Sequence, residues 1–206
     1  MRALQQADLI LWVGPELEQF LQKPLAALPA SMQLDKLTSL TWPKNMHDAG
    51  SFHEHGHAHG GRDPHLWLNP DNGVVIAKAV AKQLATLPSV DLERLEAQLS
   101  TMVGRVEALT IELELTLADL RSITFIAYHE AYGHWNQRFQ LSQLAAVSLS
   151  PEQKPGARHI YELKSQAKGA QCLVAEAFYN NQSSQQLAKQ LGLPLVVLDP
   201  LGTNIT

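Results

Sequence analysis

At 206 residues, with 45% hydrophobic residues and a formal charge of −4, the chain can bury a core as one medium domain or two small lobes. That charge excludes the basic stripe nucleic-acid binding needs, and no apolar run approaches the roughly 20 residues of a membrane-spanning helix. Met1 leads into the amphipathic fragment Ala3-Leu4-Gln5-Gln6-Ala7-Asp8, which has no apolar leader stretch.

Taken in order, the elements alternate. Ala7 to Val13 is a short apolar run ended by Gly14-Pro15, a strand and then a turn. Leu17, Phe20, Leu21, Leu25 and Leu28 show helical spacing over Glu16 to Leu28, with Pro24 expected to end or kink it. Thr38 to Pro64 is rich in His, Gly and Asp, has no periodicity and reads as a surface loop. Order resumes at His65-Leu66-Trp67-Leu68. Asn69-Pro70 then gives an N-cap and a first-turn proline, starting a helix that runs to about Leu87. Asp91 to Leu120 carries a long apolar stripe that predicts a single helix of roughly 45 Å, a length suited to bridging two lobes. A two-helix hairpin broken near Gly104 is the alternative.

The second half predicts strands at Ile123–Tyr128, Leu144–Val147, Cys172–Ala175 and Leu195–Leu198. Helices are expected at Glu130–Phe139, Gly156–Ala167 and Ser183–Leu191. Unbroken apolar strands joined through helices predict a parallel sheet covered on both faces. The fold class is therefore α/β. Residues 1–90 are read as an N-terminal lobe with a His-rich loop at 45–61, 91–120 as a linking helix, and 121–206 as a C-terminal lobe. The first residues read as the tail of a helix, and Leu201 to Thr206 stop just after a strand, so both ends read as cut.

Ligands of open α/β sheets sit beyond the carboxyl ends of strands. His129 and Glu130 follow one predicted strand, Asp199 follows another, and His65 stands where the loop re-enters ordered structure. No G-x-G-x-x-G or Walker lysine loop is present, which argues against nucleotide binding. Histidine nitrogen suits zinc, so His65 and His129 are candidate ligands, although any one histidine can equally be a core or surface residue. The segment with His53, His55, His57 and His59, and His47 upstream, is more specific, because alternating histidines in a glycine-containing loop form a soft chelator. A solvated loop without a metal role is the competing reading. His129 and His134 miss the H-E-x-x-H spacing. At i and i+5 they lie about 140° apart on a helix and cannot share an ion from one face. His134 and His159 are expected at the surface. Cys172, the only cysteine, reads as a small core residue or as one half of a disulfide.

The chain resembles the zinc-specific solute-binding proteins of bacterial ABC importers, the ZnuA type. The resemblance is carried by ALQQADLILWVGPELEQFLQKPL, the His-rich loop followed by PHLWLNP, FIAYHEAYGHW, SPEQKPGARHIYEL, CLVAEAFYN and LDPLGTNI, in family order over nearly the whole chain. It implies two parallel-sheet α/β lobes joined by one long rigid helix, with zinc in the inter-lobe cleft. It further implies His65 and His129 as ligands, Asp199 as a carboxylate at or near the metal, and the segment from His47 to His59 as an auxiliary zinc-collecting loop. Histidine at position 129 favours zinc over manganese, since the manganese branch has a carboxylate there. The implied partners are zinc and the membrane permease of an ABC importer; the implied state is a periplasmic monomer without catalytic activity. The family carries another histidine ligand ahead of where this chain starts. It also has a C-terminal helix whose cysteine pairs with the position of Cys172, so the resemblance implies a chain shortened at both ends. A zinc hydrolase with Glu130 as base, and a zinc-storage protein using only the histidine loop, are the competing functions.

Overall fold

The structure, a computed structural model, describes residues 2–28, 31–43, 62–148, 156–177 and 181–203. The expected auxiliary loop at 45–61, with His47, His53, His55, His57 and His59, lies outside the described residues. The chain divides into two compact units, Met1–Leu113 and Glu114–Thr206.

In the first unit, helix α1 (Arg2–Gln6) leads into strand β1 (Ile10–Trp12). Strand β1 pairs in parallel with β2 (Ser31–Gln33), with Leu11 opposite Met32. Ile10, Trp12 and Leu25 form a small buried core. The turn after β1 is held by Glu18, whose carboxylate accepts the backbone N–H groups of Val13 at 3.0 Å and Gly14 at 3.1 Å. Gly14 has φ +154°, a conformation L side chains rarely adopt, and a Cβ there would also run into the Asp35 carboxylate, so the turn favours glycine. The helix expected over Glu16 to Leu28 is not continuous. It is a turn, a 3-10 segment at Gln19–Leu21 and a single α-turn, α2 (Gln22–Leu25). Pro24 fits only within the first turn of α2, where its missing N–H costs nothing.

Helix α3 (Pro70–Leu84) starts as the sequence predicts: Pro70 occupies the first position, and the Asn69 side chain accepts the Asp71 N–H at 3.0 Å. On α3, fully buried Asn72 accepts the Thr41 N–H at 2.8 Å and donates to the Thr41 carbonyl at 3.0 Å. The Arg62 guanidinium lies 4.7 Å from the centre of the Trp42 ring. These contacts join the stretch before residue 44 to the stretch after residue 61. Helix α4 (Leu92–Leu117) runs unbroken through Gly104, which removes the hairpin alternative. The division between the units falls inside α4, not at its ends.

The second unit is a four-stranded parallel sheet in the order β4-β3-β5-β6, with β3 (Thr124–His129), β4 (Ser142–Ser148), β5 (Cys172–Glu176) and β6 (Leu195–Leu198). Helices α5 (Gly133–Phe139), α6 (Ala157–Gln166) and α7 (Asn181–Leu191) make the crossovers. Ile126, Val147 and Leu173 pack with Leu163 and Ala167, from α6 and the turn after it, and with Leu187 and Ala188 of α7. Leu163 and Leu173 are fully buried, each contributing about 1.5–3 kcal/mol relative to exposure. Side chains alternate along a strand, so Phe125, Ala127 and His129 face away from that core.

Candidate metal-binding site

His65 sits in the first unit just ahead of a short 3-10 turn, Leu66–Leu68. Its backbone, at φ −79° and ψ 51°, is the centre of an inverse γ-turn closed by a 2.8 Å bond from the Leu66 N–H to the Pro64 carbonyl. Leu66, fully buried, anchors the turn. The Asp63 carboxylate accepts the His65 backbone N–H at 3.0 Å and its ring Nδ1–H at 2.7 Å. A carboxylate only accepts, so in this contact Nδ1 carries the proton that is donated. Trp67 meets the imidazole edge-on, ring centres 5.4 Å apart, fixing its tilt. His65 is 8% exposed.

In the second unit, His129 is the last residue of β3, one place earlier relative to the strand end than the sequence suggested. Strand β3 pairs with β4 on one side and β5 on the other. The chain thus changes direction across the sheet at β3, and the carboxyl ends of β3 and β5 flank the position where such sheets bind ligands. Glu176 ends β5 there. The β3–β5 register sets Ala127 opposite Val174, so two residues further on His129 and Glu176 are cross-strand neighbours on one face. Their Nδ1 and Oε1 atoms are 3.8 Å apart, with His129 6% exposed and Glu176 fully buried. The sequence reading missed Glu176. Its only signal is an acidic residue directly continuing the apolar run Cys172 to Ala175.

Asp199 follows β6, the neighbour of β5. Its carboxylate shapes its own turn: Oδ1 accepts the Leu201 N–H at 3.3 Å and Oδ2 the Thr203 hydroxyl at 2.7 Å. Among the described residues, neither unit gathers three or more His, Cys, Asp or Glu side chains at one point. The donors of His65, His129 and Asp199, two imidazoles and a carboxylate, are those that zinc takes.

The remaining candidates have structural roles. Glu130 accepts from Gln143 Nε2 at 3.0 Å on both oxygens, and Gln143 Oε1 accepts from Asn136 Nδ2 at 3.0 Å. That network ties α5 to β4. His134, expected at the surface, is 1% exposed, because short α5 is packed nearly all round with Gly133, Asn136 and Phe139 also buried. His159 is likewise not a free surface group; its Nε2–H donates to the Ala146 carbonyl at 3.0 Å, joining α6 to β4. Cys172 is half-buried, and burial pushes its thiol pKa up.

The family described as zinc-uptake complex component A, periplasmic (ZnuA), matches residues 1–206. The high-affinity zinc uptake system protein ZnuA of Yersinia pestis is 29% identical over 225 residues, covering 100% of this chain and 71% of that protein. Its counterpart from Brucella abortus is 28% identical over 240 residues, covering 98% and 72%. A crystal structure of ZnuA superposes with a TM-score of 0.77 at 27% identity, covering 98% of this chain and 75% of that one. A ZnuA deletion mutant with zinc bound gives 0.76 at 26% identity, covering 97% and 74%. A family match over the full length, joined to two parallel-sheet α/β units and a long helix, establishes that the chain belongs to the ZnuA family of zinc-uptake components.

Proposed function

We propose that the protein captures zinc outside the cytoplasm and delivers it to the membrane permease of an ABC importer. His65 and His129 each offer an imidazole nitrogen, and Asp199 supplies a carboxylate at or beside the ion. The periplasm is the compartment and a monomer the working state. The observation that carries the reading is the burial of two imidazoles, His65 at a turn and His129 at the end of a strand, each with Nδ1 toward a carboxylate, in a chain of the zinc-uptake family. Transport requires capture and release, so reversible coordination by neutral nitrogen suffices and no bond of a substrate need be broken. The histidines from His47 to His59 act as an auxiliary collector that raises the local zinc supply. Nitrogen-rich ligation favours zinc over manganese, which prefers carboxylate oxygen.

The test is competition titration with a zinc-chelating dye on the protein and on His65→Ala and His129→Ala. Each substitution is expected to weaken the tightest site by more than the roughly 10–100-fold typical of losing an outer partner. Unchanged affinity in both variants overturns the ligand assignment.

A further inference from the structure

We propose that the first unit carries a second binding site, a cavity at the C-terminal end of α3 that takes a small primary alkylammonium ion. The proposal is independent of the zinc reading. His65 lies ahead of the N-terminal end of α3, and 15 residues at 1.5 Å each put the other end of the helix roughly 22 Å further on.

The cavity measures about 340 Å³, within the range of about 300–1,000 Å³ usual for small-molecule sites. It is formed where the chain enters β1 and β2 and where α3 closes. Half-buried Leu9, Met32 and Leu87 give it an apolar wall. Exposed Asp8, Gln83 and Thr86 give it a polar mouth, and half-buried Ser31 adds a hydroxyl.

The polar lining is biased toward acceptors. Ser31 Oγ donates to the Leu28 carbonyl at 3.1 Å, and Thr86 Oγ1 donates to the Gln83 carbonyl at 2.7 Å. A hydroxyl has one proton and two lone pairs, so with both protons engaged the two oxygens are left to accept. Asp8 has no hydrogen-bond or ion-pair partner among the described residues, and its carboxylate adds two more acceptor oxygens. Of the lining side chains only that of Gln83 retains N–H groups to donate. The C-terminal end of α3 adds about half a negative charge. Lys82, the basic residue of its last turn, does not line the cavity.

A ligand for this lining must bring donors and positive charge. Anions are therefore excluded. A bare divalent ion is poorly matched, because one carboxylate stands among neutral oxygens and much of the wall is apolar. A primary ammonium has three N–H groups, enough for the Asp8 carboxylate and the Thr86 hydroxyl together. Its alkyl chain then lies along Leu9, Met32 and Leu87.

The test is an amide NMR titration of zinc-free protein with n-butylammonium chloride at low ionic strength, repeated with butan-1-ol and with sodium butyrate. Saturable shifts are expected at Asp8, Ser31 and Thr86 with the amine, and none with butyrate. Asp8→Asn, a surface change that keeps shape, should weaken amine binding roughly 10-fold or more, as for loss of a hydrogen bond to a charged group. Thr86→Val should weaken it about 2–10-fold. Zinc affinity by dye competition should be unchanged in Asp8→Asn. A lysine side chain carries the same ammonium, but the cavity holds a small amine whole, so Nα-acetyl-lysine methylamide should bind more weakly than butylammonium. Absence of saturable shifts at the cavity, undiminished binding in Asp8→Asn, or equal binding of butyrate overturns the proposal. Tighter binding of the lysine derivative overturns the assignment to a free amine.

Discussion

Replacing Asn72 by alanine tests how firmly the entrance to the histidine-rich stretch is fastened to α3. Asn72 is fully buried and bonds Thr41 twice across 31 positions of sequence, at 2.8 and 3.0 Å. Each hydrogen bond contributes about 1 kcal/mol net. Thr41 is itself exposed, so its backbone groups regain water in the variant, and the penalty for stranding them does not apply. The lost pair and the small void together predict a destabilisation of about 2 kcal/mol for the first unit. Urea unfolding followed in that unit should show a lower midpoint with an unchanged slope. Asn72→Asp refines the test. It keeps the acceptor for the Thr41 N–H but points an oxygen at the Thr41 carbonyl. It should therefore be worse than alanine at neutral pH and recover as acid returns a proton to the carboxyl. A loss below about 0.5 kcal/mol in the alanine variant, the range of ordinary surface changes, refutes the reasoning. So does an aspartate variant as stable as the natural protein at neutral pH.

Gly14→Ala should destabilise the turn after β1 by roughly 1–3 kcal/mol, because its Cβ meets Asp35 and its φ is one that L residues rarely adopt; a thermal melt decides. The raised Cys172 pKa makes the thiol a slow nucleophile. Alkylation by iodoacetamide at mildly alkaline pH should be slower in the folded protein than in urea, and equal rates would contradict the burial. The folded form holds that proton more tightly. Its contribution to stability is therefore complete below the thiol pKa of the unfolded chain and is lost as pH rises through the folded one. Deleting residues 52–60 should remove weak additional zinc equivalents in calorimetry and leave the tightest site unchanged; loss of the tightest site would favour a storage function.

The second unit was largely legible from sequence because each strand is an uninterrupted apolar run and each crossover carries helical spacing. Only ends moved: His129 joins β3, and α5 starts at Gly133, after the chain has turned through Glu130 to Tyr132. The first unit was less legible. Strand β2 is Ser-Met-Gln, with no alternation and no apolar run, and is a strand only because β1 lies beside it. The periodic leucines from Leu17 to Leu28 mimic a helix, but Glu18 takes the backbone N–H groups after β1, and Pro24, which has no N–H and crowds the carbonyl four residues back, does not let a helix continue into α2 from upstream. At the site, strand ends pointed to His129 and Asp199. His129 and His134 lie on different elements, β3 and α5, so helical spacing does not describe their relation, and His134, expected at the surface, is inside. Glu176 could not be paired with His129 from sequence, since their meeting depends on strand order and register.

The contacts of Trp42 with Arg62 and of Thr41 with Asn72 have a consequence for how the protein can vary. They bring the two ends of residues 44–61 together using side chains that lie outside that stretch. The entropy of closing a loop grows only with the logarithm of its length, about 0.6 kcal/mol per doubling. Histidines can therefore be added or removed between the two anchors by insertion and deletion at little cost to folding. The number of residues between the two anchors and the architecture around His65 can thus vary separately.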